Sequence, residues 1–144
     1  MSSPRSALAG ATAAAVWALL EPLDRRLLGC DYSDVAILGK AVTRGPGWRP
    51  LGFALHVANG AVFGLVFEQA RRRLAVPPRR LAVGMALAEH LVLYPVGGLV
   101  DRYHPARGEP GLPPLLTNGR AFAQATWRHL LFGVVLGRLA APRG

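Results

Sequence analysis

Apolar positions in this chain come in long runs rather than in one-sided stripes. Residues 6–20 and 50–67 carry no charge at all, and residues 81–100 and 121–137 carry one each. A helix bordering water keeps a charged face. Segments that are apolar all round need lipid or a large protein interior, and 144 residues cannot supply the latter. The pattern predicts helices at about 6–23, 51–74, 79–100 and 121–139. Each uncharged or nearly uncharged stretch runs for about 15–20 residues. At 1.5 Å per residue that is roughly 25–30 Å, close to the hydrocarbon thickness of a bilayer. The expected fold is all-α: an integral membrane four-helix bundle, with residues 1–144 forming one membrane domain.

The intervening segments refine this. Ser33-Asp34, followed by Val35, Ile37, Leu38, Ala41 and Val42, predicts a capped, short amphipathic helix over 34–43, lying at the bilayer surface. Pro77-Pro78 suits a helix start. Tyr94-Pro95 before Gly97-Gly98 predicts a kink. His104-Pro105, Pro110, Pro113 and Pro114 forbid a long helix over 101–120. Tyr32, Trp48 and Tyr103 fall in the two long linkers, as an interfacial aromatic belt requires. Only Arg5 precedes the first run and no cleavage site follows it, so that run reads as a retained helix.

Composition points the same way. Apolar residues make up 51% and charged residues 17%, against roughly 25% charged in soluble domains. That hydrophobicity excludes a disordered chain. The net charge of +9 comes from 16 Arg and one Lys, Lys40. These residues gather at the ends of apolar runs, so the partner expected for Arg71, Arg72, Arg73, Arg79 and Arg80 is a bilayer with anionic head groups, not nucleic acid. With four spans, eight basic residues fall on each side. The five-Arg linker is the densest, which places both termini in the cytoplasm of a multi-pass protein of the cell (inner) membrane. Cys30 stands alone, so neither an intrachain disulfide nor a thiolate metal site can form. Leu27-Leu28-Gly29-Cys30 resembles a lipoprotein box, but Glu21, Asp24, Arg25 and Arg26 interrupt the run before it.

The two halves repeat at an offset of 73 residues (56 to 129). Gly52, His56, Gly60 and Gly64 recur as Ala125, His129, Gly133 and Gly137, and Pro22 as Pro95. Eleven of 71 pairs are identical, so the ridge carries the match and the linkers do not. The reading is two tandem hairpins. Residues four apart share a helix face, and small residues there let backbones approach closely in lipid. The second and fourth helices are therefore expected to turn these ridges inward, toward each other.

Ionisable groups at membrane depth are costly, so each asks for a partner. Glu21, His56 with Asn59, Glu89 with His90, Tyr94, Gln124, Arg128 and His129 form the candidate polar core, with Glu89 and Arg128 as the expected ion pair. The first reading is a structural network. The alternatives are haem held between His56 and His129 with glycines making room, zinc or iron held by His56, His90, His129 and Glu89, or a path for a small solute or proton. No nucleophile elbow, phosphate loop or HExxH motif appears, so no catalytic residue is assigned. A homo-oligomer is compatible with the small-residue faces.

Overall fold

The computed structural model describes residues 3–141. Six α-helices and no strands occur among them: α1 (Ser3–Leu28), α2 (Asp34–Val42), α3 (Trp48–Arg73), α4 (Pro78–Leu93), α5 (Gly97–Tyr103) and α6 (Gly119–Ala140). The kink expected at Pro95 is a 3-10 turn, Tyr94–Val96, joining α4 to α5. α4, the turn and α5 together make one rod, Pro78–Tyr103. The rod runs past the expected end at 100, and α1 extends through Pro22 to Leu28. Local chemistry sets the starts. Ser33 caps α2 by accepting from the Ala36 amide, and Asn118 caps α6 by accepting from the Arg120 and Ala121 amides.

Three of these, α1, α3 and the rod Pro78–Tyr103, are long and apolar enough to cross a membrane. They fit a membrane protein. α6 is not among them, because Gln124, Arg128 and His129 sit at its centre.

α1 and α3 pack antiparallel, as do α4 and α6. The glycine ridges explain how closely. A Cβ on Gly60 would strike Gly10 and Ala14, and one on Gly64 would strike the Ser6 carbonyl. In the second hairpin a Cβ on Gly133 would meet Val83, and one on Gly137 would meet Arg79. Each contact of the second set repeats one of the first at the offset of 73, since Gly10 maps onto Val83 and Ser6 onto Arg79. The ring contacts repeat as well. Trp17 and His56 have centroids 4.9 Å apart, and their counterparts His90 and His129 are 4.8 Å apart. The helix pairs α1–α3 and α4–α6 thus share matched contacts at this offset. The ridges do not face each other as expected: each packs on the first helix of its own hairpin.

α1 also packs along α6, whereas the symmetry-related pair, α3 and α4, barely touch. The two halves therefore differ at this seam.

α2 was expected to lie flat at a surface. It docks against the start of α3, where a Cβ on Gly39 would strike the Trp48 carbonyl and one on Gly52 the Val35 carbonyl. The proline-rich segment folds over it. His104 Nε2 donates to the Ile37 carbonyl (2.9 Å), Lys40 Nζ donates to the Pro110 carbonyl (2.9 Å), and the Gly111 amide donates to Asp31 (2.7 Å). At the opposite end the near-neighbour ion pairs expected of Glu68 with Arg71 and Arg72 are present, and Ser6 also donates to Glu68 (3.0 Å).

Candidate functional site

Arg128 is the largest fully buried side chain among the described residues, at 0% exposure. Its partners differ from expectation. Nε and Nη2 donate to the two oxygens of Asp24 at 2.7 Å each, and Nη1 donates to Asp34 at 2.9 Å. Nη2 also reaches the Tyr32 carbonyl at 3.0 Å, and Glu21 lies 3.6 Å from Nη1. The guanidinium plane sits over the Tyr32 ring, 4.9 Å from its centroid. The forked bond to Asp24 uses the geometry that only arginine offers a carboxylate.

The acids are themselves fixed. Asp34 accepts from the Tyr32 hydroxyl (2.5 Å) and from Trp17 Nε1 (3.2 Å). Gln124 donates to Asp24 (2.6 Å). Glu21 accepts from the Ser33 hydroxyl (2.6 Å) and the Asp34 amide (3.0 Å), so its carboxylate closes the positive end of α2. Burial alone would raise the Asp34 carboxyl, but the Arg128 guanidinium, the neighbouring imidazoles and the Tyr32 hydrogen bond together outweigh it and hold the group below its ordinary range. Burial, together with the adjacent Asp34, pushes the Tyr32 phenol upward. One network thus ties α1, α2, the 29–33 turn and α6 together.

Glu89 does not pair with Arg128. It faces the other side of α6, where its carboxylate lies 3.9 Å from His129 Nε2. That is too far for a direct hydrogen bond. His129 Nδ1 lies 2.7 Å from the Ala125 carbonyl, which can only accept, so Nδ1 carries a proton and Nε2 is the nitrogen turned toward Glu89. His90 Nε2 meets Thr126 Oγ1 at 2.9 Å; that hydroxyl already donates to the Phe122 carbonyl, so His90 is the donor. Tyr94 donates to the Leu115 carbonyl at 2.7 Å. His56 is 6% exposed, and its Nε2 has no hydrogen-bond partner among the described residues; the same holds for Gln124 Oε1. Asn59 is exposed.

A cavity of about 200 Å³ adjoins the network, walled by Trp17, Phe63 and Phe132 and reached by Asp34, His56, Glu89 and His129. A groove of about 400 Å³ runs along the loose seam between α3 and α4, lined by Val62, Val66, Met85 and Ala88. It shares Asn59, Phe63 and Glu89 with the cavity.

Trp17 packs edge-on against both His56 and His129, at 4.9 and 4.7 Å. No group of three or more His, Cys, Asp or Glu side chains among the described residues converges to hold a metal ion. Nor do the glycines leave room for a haem ring, because neighbouring backbone fills the space beside Gly60 and Gly133. Sequence reasoning missed Asp24 and Asp34 as the arginine's partners. The available signal was Trp17, Glu21 and Asp24 at helical spacing on one face.

No family model, curated protein or solved structure matches this chain, so the reading of the site rests on its own geometry.

Proposed function

We propose that the chain is a small polytopic protein of the cell (inner) membrane, a four-helix bundle of two tandem hairpins whose buried ionic core acts mainly as a structural lock. One observation carries the reading: beside an apolar core, charged groups lie buried and paired while large apolar side chains stand exposed along the helices. Arg128, Glu21, Asp24 and Gln124 are buried, while Leu19 and Val92 are 71% and 73% exposed. Water would favour the reverse, whereas lipid tolerates leucine outside and demands that buried charges be paired. In this reading α6 is the fourth span. Its arginine is tolerated at depth because Asp24 and Asp34 satisfy it. The lock joins the first hairpin to the second, since Asp24 lies on α1 and Arg128 on α6.

The termini of α1 and α6 share one end with the short linker after α3. Both termini are proposed to be cytoplasmic, with Arg71, Arg72, Arg73, Arg79 and Arg80 against anionic head groups. α2 and the proline-rich loop then close the opposite end. Washing vesicles with alkaline carbonate tests the membrane assignment. The protein is expected to stay in the pellet, and release into the supernatant would end the proposal. Reporter fusions at either terminus test the sidedness, and periplasmic activity of both would reverse it.

A further inference from the structure

Under the offset of 73, the seam between α3 and α4 corresponds to the one between α1 and α6. The counterparts of Asp24 and Arg128 under the offset of 73 are Gly97 and Leu55. The lock that clamps α1 to α6 therefore cannot form between α4 and α3, and a groove takes its place.

We infer that this unlocked seam and the cavity behind it form a binding site for an amphiphilic primary amine, with the ammonium head among His56, Glu89 and His129 and the alkyl tail along the groove.

Three observations converge on that class. The first is charge. Arg128 is taken up by Glu21, Asp24 and Asp34, and no arginine or lysine among the described residues pairs with Glu89. The second is hydrogen-bonding sense. His56 Nε2 is buried without a partner in a cavity it lines, and the Glu89 carboxyl at the same cavity stands 3.9 Å from His129 Nε2, too far for a direct hydrogen bond. The His56 nitrogen and a Glu89 carboxylate oxygen can each accept from an N–H. A primary ammonium brings three such donors and a positive charge. The third is the wall. Trp17, Phe63 and Phe132 present rings to the same space, a setting that favours a cation over a neutral head. No side chain with a fixed positive charge lines the cavity or the groove, so a phosphate-bearing zwitterion does not fit. The tail would lie on Val62, Val66, Met85 and Ala88. Only the route of entry, sideways from the bilayer, rests on the membrane reading.

The test uses the purified full chain in nanodiscs, followed by tryptophan fluorescence and thermal unfolding. n-Octylammonium is expected to bind saturably and to raise the melting temperature. n-Octyltrimethylammonium, which has no N–H, and n-octanol, which has no charge, are each expected to bind at least tenfold more weakly. Glu89→Gln should weaken n-octylammonium at least tenfold while melting near the wild type, since Glu89 stands outside the Arg128 network. The inference is overturned if all three probes act alike, if n-octylammonium fails to saturate, or if Glu89→Gln binds it as the wild type does. Should that variant fail to fold, the ranking of the three probes on the wild type decides. Failure here leaves the structural lock standing, because the lock is read from Arg128 variants without any amine.

Discussion

Replacing Arg128 by alanine removes a forked pair of bonds to Asp24 at 2.7 Å, one to Asp34 at 2.9 Å and one to the Tyr32 carbonyl at 3.0 Å. Bonds to charged groups contribute about 1.5–3 kcal/mol each, but their sum overstates the loss, because the wild type also bears the desolvation of the guanidinium. The better measure is what remains: carboxylates buried without their cation. Breaking a buried pair from one side costs about 3–5 kcal/mol. For a chain of this size, at roughly 3 °C per kcal/mol, the melting temperature should fall on the order of 10 °C. Arg107→Ala is the control. Arg107 is exposed and reaches only the nearby His104 carbonyl, so the change should stay within about 0.5 kcal/mol. Thermal unfolding in detergent, followed by near-ultraviolet circular dichroism, measures both. Equal melting temperatures for the two variants would refute the lock. The paired variant Asp24→Leu with Arg128→Leu should lose much less than the two single changes added together, since a buried pair can be replaced by apolar side chains at little net cost.

Further outcomes follow from the same geometry. Gly60→Leu and Gly133→Leu should each destabilise by about 1–3 kcal/mol or more through overpacking, whereas Gly84→Leu, with open space beside it, should be near neutral; matched melting curves for the first two would also check the tandem hairpin. Asp34 is held below its ordinary range, so it stabilises the fold above its unfolded value near pH 4 and loses that contribution as pH falls through its lower folded value. A melting-temperature series in acid should show this slope in the wild type and a flatter one in Asp34→Asn. Lys40 is buried and holds the proline-rich loop through Glu109 (3.2 Å) and the Pro110 carbonyl (2.9 Å); Lys40→Ala should speed amide hydrogen exchange at Gly111 and Leu112, and unchanged rates would count against that tether.

The apolar runs were readable because burial against lipid or against another helix demands the same thing, an uncharged stretch of fixed length. The glycine ridges were readable because close approach leaves a four-residue spacing in the sequence. Which helix each ridge meets was not readable, since Gly60 has the same spacing whether it faces Gly10 or Gly133. The polar core was half legible. Arg128, Gln124, Glu21 and the histidines stood out by lying inside apolar runs. Asp24 and Asp34 did not, because each sits where a helix was expected to end or begin and reads there as a terminal charge. Only the extra turns of α1, carried past Pro22, bring Asp24 level with Arg128. α2 was visible as a helix with an N-cap, but its docking depends on Gly39 meeting Trp48 and Gly52, which no local pattern encodes.

The central claim is that lipid surrounds the outward faces of these helices, α6 included. Nitroxide labels placed one at a time at Leu19, Val66, Val92 and Leu130, in a Cys30→Ala background reconstituted into vesicles, test it by relaxation with oxygen and with a water-soluble nickel chelate. All four positions are exposed at the protein surface. The account predicts strong relaxation by oxygen and little by nickel at every one of them. Nickel relaxation as strong as oxygen's at Leu19, Val66 and Val92 would contradict the membrane assignment, and the same result at Leu130 alone would remove α6 from the set of spans.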